Sequence, residues 1–144
     1  MTLLAVTVDD RPVAGPPRAT AADWALLRRI VAEAVLLQDD AEELLIGLRR
    51  RPDPSEVARP CGRLKCRFAE LRTELPEGAD PELERFTAAV RQVLDHHLLM
   101  LHTSVGLLSA GQRNDRLDAR LDDIDGLGNP ARRLDALRRE LPPG

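Results

Sequence analysis

Three histidines, two cysteines and a run of arginines are the residues with which this chain could do chemistry. His96, His97 and His102 fall within a short stretch, close enough together to raise a metal site. At about 100° per residue along a helix, His97 lies at the centre of the local apolar face. His96 lies near its edge, and His102 lies on the far side with Glu84 and Asp95. Three imidazoles arranged in this way do not converge from one helix. The Glu-x-x-His of carboxylate-bridged di-iron bundles and the His-Glu-x-x-His of zinc hydrolases are both missing. The sequence therefore implies neither a metal nor a cofactor.

His97 gains meaning from Ser104, the next polar residue along the same apolar seam. The simpler reading is a core histidine satisfied by a hydrogen bond, which fixes how helices register. Such a histidine should be neutral, because burial disfavours the imidazolium. The alternative reading makes His97 and Ser104 the polar contacts of a small-ligand or sensor pocket.

Cys66 has Lys65 and Arg67 as neighbours and Arg63 one turn back. Positive neighbours raise the thiolate fraction of a cysteine. No histidine is placed by sequence as its general base, however, and Glu70 opposes the effect. Cys61 and Cys66 point in different directions on one helix, which does not suit a disulfide. Asp122-Asp123-Ile124-Asp125-Gly126 has the look of a calcium loop. Aligning its glycine puts Leu121 and Arg132 where carboxylates are required, so that reading fails. No phosphate-binding glycine loop or nucleophile motif is present. With no acid, base and nucleophile to place together, the chain reads as non-enzymatic.

The arginines are the clearest cluster. Arg49, Arg50, Arg51, Arg59, Arg63, Lys65, Arg67 and Arg72 stand against Asp53, Glu56 and Glu70. Arg59, Arg63 and Arg67 recur at helical spacing and form a stripe. That stripe can be a solvated face matched by acidic neighbouring helices, or it can meet an acidic protein or nucleic-acid phosphates. The net charge of -3 and the scarcity of aromatics favour a protein over nucleic acid.

The elements that must position these residues are helices. Trp24, Phe68 and Phe86 are the only aromatics, and there is no Tyr. A core of Leu, Val, Ile and Ala suits helix packing better than a sheet. Thr20 and Asp23 resemble a capping box opening a helix over 20–50, whose apolar residues keep a heptad: Leu27, Ile30, Ala34, Leu37, Ala41, Leu44, Leu48. Asp53-Pro54 opens a helix over 54–75 with a kink or break expected near Pro60 and Gly62. Asp80-Pro81 opens a third over 81–110, with the seam Leu83, Phe86, Val90, Val93, His97, Met100, Ser104, Leu107. The phase then breaks, and two short helices follow over 115–125 and 130–141. Residues 1–19 read as an extended or flexible tail in which 2–8 is a lone candidate strand.

These features predict one all-α domain over 20–144, a four-helix-bundle-like fold with its fourth helix broken in two. At 144 residues the chain is long enough for a real core. No apolar run is long enough for a membrane span and no signal peptide is evident, so the expected location is the cytoplasm. The expected function is protein–protein interaction or regulation, including self-association as a homodimer. Beyond its heptad, the first helix carries a second apolar strip of Trp24, Val31, Val35 and Ile46, rimmed by Arg28, Glu42 and Arg49. An apolar centre containing a Trp and bounded by charge has the make-up of an interface; the competing explanation is internal, with the last two helices covering this strip within one chain. Partner binding is therefore expected at Trp24, Val31 and Val35 and at Arg59, Arg63 and Arg67. A nucleic-acid-associated regulator using residues 49–72 is the remaining alternative.

Overall fold

The computed structural model describes residues 18–50, 52–109 and 128–142. The candidate strand at 2–8 and the expected helix at 115–125 lie outside the described residues. Among those described there are four α-helices and no strand: α1 (Ala21–Gly47), α2 (Pro54–Glu74), α3 (Pro81–Ser109) and α4 (Gly128–Glu140), with a 3-10 turn at Leu48–Arg50 after α1.

The helix starts follow from local chemistry. Thr20 Oγ1 accepts from the Asp23 amide at 3.1 Å, and Asp23 Oδ2 accepts from the Thr20 amide at 3.0 Å, which completes a capping box. Asp53 caps α2 through the Ser55 amide at 3.0 Å, with Pro54 in the first turn where no amide is needed. Asp80 does more than cap. Its Oδ1 accepts from the amides of Glu82 and Leu83 at the start of α3. Its Oδ2 accepts from the Ala19 amide at 2.7 Å, so the first residues of α1 are tied to those of α3. These amides hold the Asp80 carboxyl below its usual range, the Ala19 bond contributing most.

Two sequence expectations need adjustment. α2 runs through Pro60 and Gly62 as one helix, so there is no break near residue 60. α4 begins at Gly128 rather than after Asn129-Pro130, and Pro130 still falls in its first turn, where its missing amide costs nothing.

α1 and α3 form the central pair. α2 packs along one side of both and α4 along the other, and α2 and α4 hardly touch each other. The core runs along α1 and α3 and is closed by Leu64, Phe68 and Leu71 from α2 and by Leu134, Leu137 and Leu141 around α4. Polar ties reinforce the arrangement. Arg28 Nη1 donates to the Pro142 carbonyl at 2.9 Å. Arg72 of α2 donates through Nε and Nη2 to the two oxygens of Asp95 on α3.

The largest departure from the sequence pattern is the rotation of α1. Its buried residues are Leu27, Ile30, Val31, Ala34, Val35, Gln38, Ala41 and Leu45. Leu37 and Leu44, two members of the expected heptad, are only half-buried. The buried face is turned by about 50° from the heptad's centre, at 100° per residue. α4 packs on α1, and Arg28 on the turned flank donates to the Pro142 carbonyl just beyond α4.

α2 offers a simple stability test. Gly62 is exposed, and a Cβ added there meets nothing within 4 Å. Gly62→Ala should stabilise the fold by about 1 kcal/mol, the usual helix-interior difference. Urea denaturation should show an unchanged m-value and a higher midpoint.

Candidate functional site

His97 sits at the middle of the bundle and is fully buried. Its Nε2 lies 3.1 Å from Oε1 of Gln38 on α1. A carboxamide oxygen only accepts, so Nε2 carries the proton in this arrangement. Phe68 of α2 meets the imidazole edge-on with ring centroids 5.4 Å apart. Burial pushes the His97 pKa down to about 4, with a smaller push from His96. The imidazole is therefore neutral at pH 7, as its place on the seam predicts.

Ser104 is also fully buried, but the structure does not bring it to His97. Its Oγ, like Nδ1 of His97 and Oγ1 of Thr87, has no hydrogen-bond partner among the described residues. The residue that sequence reasoning missed is Gln38, a polar side chain only 5% exposed. The signal was available: Gln38 continues the helical steps from Val31, Ala34 and Val35 to Ala41 and Leu45.

The cysteines form no reactive pair. Cys61 is buried, its Sγ lies 3.9 Å from the Leu101 carbonyl, and burial raises its thiol pKa. Cys66 is exposed. Of the cations near it in sequence, Lys65 lies 3.5 Å from His102 Nδ1, and Arg67 is engaged by carboxylates. Among the described residues no three His, Cys, Asp or Glu side chains come together as metal ligands.

The arginine stripe splits in two. Arg67 reaches across to α1, donating through Nε and Nη2 to both oxygens of Glu33, the latter at 2.6 Å. Its Nη1 meets Glu70 at 3.0 Å and Glu74 at 3.6 Å. The hydrogen bond from Arg67 lowers the Glu33 pKa. Arg67 is thus a clasp between α1 and α2. Arg59 and Arg63 are exposed, and neither makes an ion pair with the described residues.

The apolar strip on α1 also needs correction. Val31 is 0% and Val35 8% exposed. They belong to the core on the flank of α1 against which α4 packs. Trp24 is half-buried and meets Phe86 of α3 edge-on, with centroids 5.9 Å apart. Of that strip only Ile46 is exposed.

Apolar surface is instead left open on the other flank. Between the second half of α1 and the first half of α2 runs a groove of about 760 Å³. Leu37 and Leu44 of α1 and Val57, Pro60 and Leu64 of α2 form its apolar lining. Asp40 and Glu43 stand on the α1 wall. Glu56, Arg63 and Arg67 stand on the α2 wall, and Arg50 and Pro52 close the end where the helices join. Gly47 also lines the groove, and a Cβ there would meet nothing within 4 Å. A second cleft of about 460 Å³, near the α2–α3 turn, is bordered by Arg72, Glu84 and Arg91. Its cations are partnered, Arg72 by Asp95 and Arg91 by Glu84 at 3.8 Å.

No family model, curated protein or solved structure matches this chain. No helix among the described residues is long and apolar enough to cross a membrane.

Two measurements check this geometry. His97 has its folded pKa depressed to about 4 from an ordinary value near 6.5. Between those values the unfolded chain binds the extra proton, so stability falls as the pH falls through that window. Its contribution is complete above pH ~6.5 and is lost by pH ~4, an effect of about 3 kcal/mol at 1.36 kcal/mol per pKa unit. Urea melts from pH 7 to pH 4 should show this slope in the wild type and a much flatter one in His97→Leu. Separately, Arg67→Gln should cost about 1 kcal/mol as the centre of a partly exposed network, whereas Arg63→Gln should cost almost nothing. Equal midpoints for the two variants would contradict the clasp.

Proposed function

We propose that this chain is a non-enzymatic interaction protein that binds another protein in the α1–α2 groove. The observation that carries this reading is the open apolar lining. Leu37, Leu44 and Val57 remain half-buried along one open groove. A helix in a groove is a common mode of peptide recognition, with anchors at helical spacing. Spacing of that kind is present on both walls, in Leu37 and Leu44 on one and in Val57, Pro60 and Leu64 on the other.

The other readings find less support. A ligand pocket at His97 and Ser104 would need an opening, and both residues are fully buried. A nucleic-acid surface would need Arg59 and Arg63 to continue into the arginines of α4. α4 lies on the opposite side of the α1–α3 pair, and Glu56, Glu70 and Glu74 interrupt the stripe. Homodimer formation through Trp24, Val31 and Val35 lacks a surface, because the two valines are internal.

The test is capture from the native host with three baits: wild type, Leu44→Glu in the groove, and Ile46→Glu on exposed surface elsewhere on α1. All three should be folded, because none of these side chains is in the core. The wild type and Ile46→Glu should retain the same protein, and Leu44→Glu should lose it. Capture unaffected by Leu44→Glu, or recovery of nucleic acid instead, would contradict the proposal. Light scattering of the same proteins identifies self-association: a dimer dissociated only by Leu44→Glu would make the occupant a second copy.

A further inference from the structure

We infer that the groove takes a partner helix whose apolar stripe is flanked by basic residues along one edge and acidic residues along the other. This inference rests on the interaction reading and names the chemistry of the partner. The size of the groove sets the length. From Leu37 to Gly47 the α1 wall covers about 15 Å at 1.5 Å per residue, and the turn to Arg50 extends it, so a helix of about three turns or slightly more fits. Such a helix brings apolar residues at i, i+4, i+7 and i+11 onto the lining. Gly47 leaves open space at one wall, so the two backbones can approach closely there.

The charges set the edges. Asp40 and Glu43 on the α1 wall make no ion pair with the described residues, and neither do Arg63 and its exposed neighbour Arg59 on the α2 side. The α1 wall therefore offers unmatched negative charge, while on the α2 side Glu56 stands beside Arg59 and Arg63 and the unpaired charge is positive by one. An occupant with two acidic edges would be repelled along α1, and one with two basic edges would be repelled along α2. The outward face of α1 from a second copy fits poorly. There the exposed Leu36 is surrounded by Glu33, Asp39, Asp40 and Glu43, which would meet the acidic wall of the receiving groove.

The test uses four labelled peptides of 14 residues with Leu at i, i+4, i+7 and i+11, differing only in their edges. One has Lys on one edge and Glu on the other; the remaining three have Lys on both, Glu on both, or Gln on both. Binding to the full chain is read by fluorescence anisotropy at low salt. Exchanging the two edges is not a useful control, because a peptide bound in the reverse direction presents them exchanged. The Lys/Glu peptide should bind tightest, by about fivefold over each of the others, as expected for a few rim pairs. The preference should fade at 1 M salt, where the screening length is about 3 Å. In Arg59→Glu/Arg63→Glu both walls become acidic, and the all-Lys peptide should become the best ligand. Gly47→Trp, which fills the groove from an open position, should abolish binding of every peptide while the circular dichroism melt stays cooperative. Equal binding of all four peptides, blocked by Gly47→Trp, would overturn the split-edge inference and leave the groove reading intact. Binding of none of them, or binding indifferent to Gly47→Trp, would overturn both.

Discussion

Gln38 faces the inside of this bundle, and His97 is there to meet it. A buried carboxamide left without a partner costs on the order of 1–3 kcal/mol, and a buried imidazole faces a similar penalty. Each group offsets the cost for the other through the 3.1 Å contact between Nε2 and Oε1. The pair joins α1 to α3 at mid-length, with Phe68 of α2 closing the third side. It thereby fixes the rotation of α1. With Gln38 inward, Val31 and Val35 turn toward α4, and Leu37 and Leu44 turn toward the edge of α2. Turning α1 back to bury those leucines would expose the valines and separate the polar pair. The groove is therefore a consequence of how the core is satisfied.

The surface charges follow the same division. Arg67 and Arg72 each reach from α2 to a neighbouring helix and hold it through paired hydrogen bonds to a carboxylate. Arg59 and Arg63 face outward from the same helix without such partners among the described residues. A run of arginines with one appearance in sequence thus contains two kinds of residue. The inner ones set helix spacing. Around the apolar lining of the groove, Asp40 and Glu43 stand on one wall and Glu56, Arg63 and Arg67 on the other.

Much of the fold was legible because its signals are local. Thr20, Asp53 and Asp80 each act on amides within three residues, and each marks a helix start correctly. The seam of α3 was legible because a helix packed on three sides shows its burial directly as periodicity, His97 included. The rotation of α1 was not legible, because its apolar residues span an arc wide enough for two seams. The choice between them depends on α4, far away in sequence, and on Gln38, which reads as a surface residue until its partner is known. Arg67 was misread for a related reason. Its carboxylate partner Glu33 lies on another helix, and helical spacing within α2 carries no information about it. The apolar surface left open on α1 therefore lies on the flank opposite the one the sequence pattern indicated.

The central claim is the rotation of α1, and thiol accessibility tests it most directly. In a Cys66→Ser background, in which Cys61 stays buried, single cysteines are introduced at Val31, Val35, Leu37 and Leu44 and labelled under native conditions. The structure predicts ready labelling at positions 37 and 44, and protection at 31 and 35 that is lifted only when the fold opens. Protection at 37 and 44 with ready labelling at 31 and 35 would restore the heptad face as the core and contradict this account.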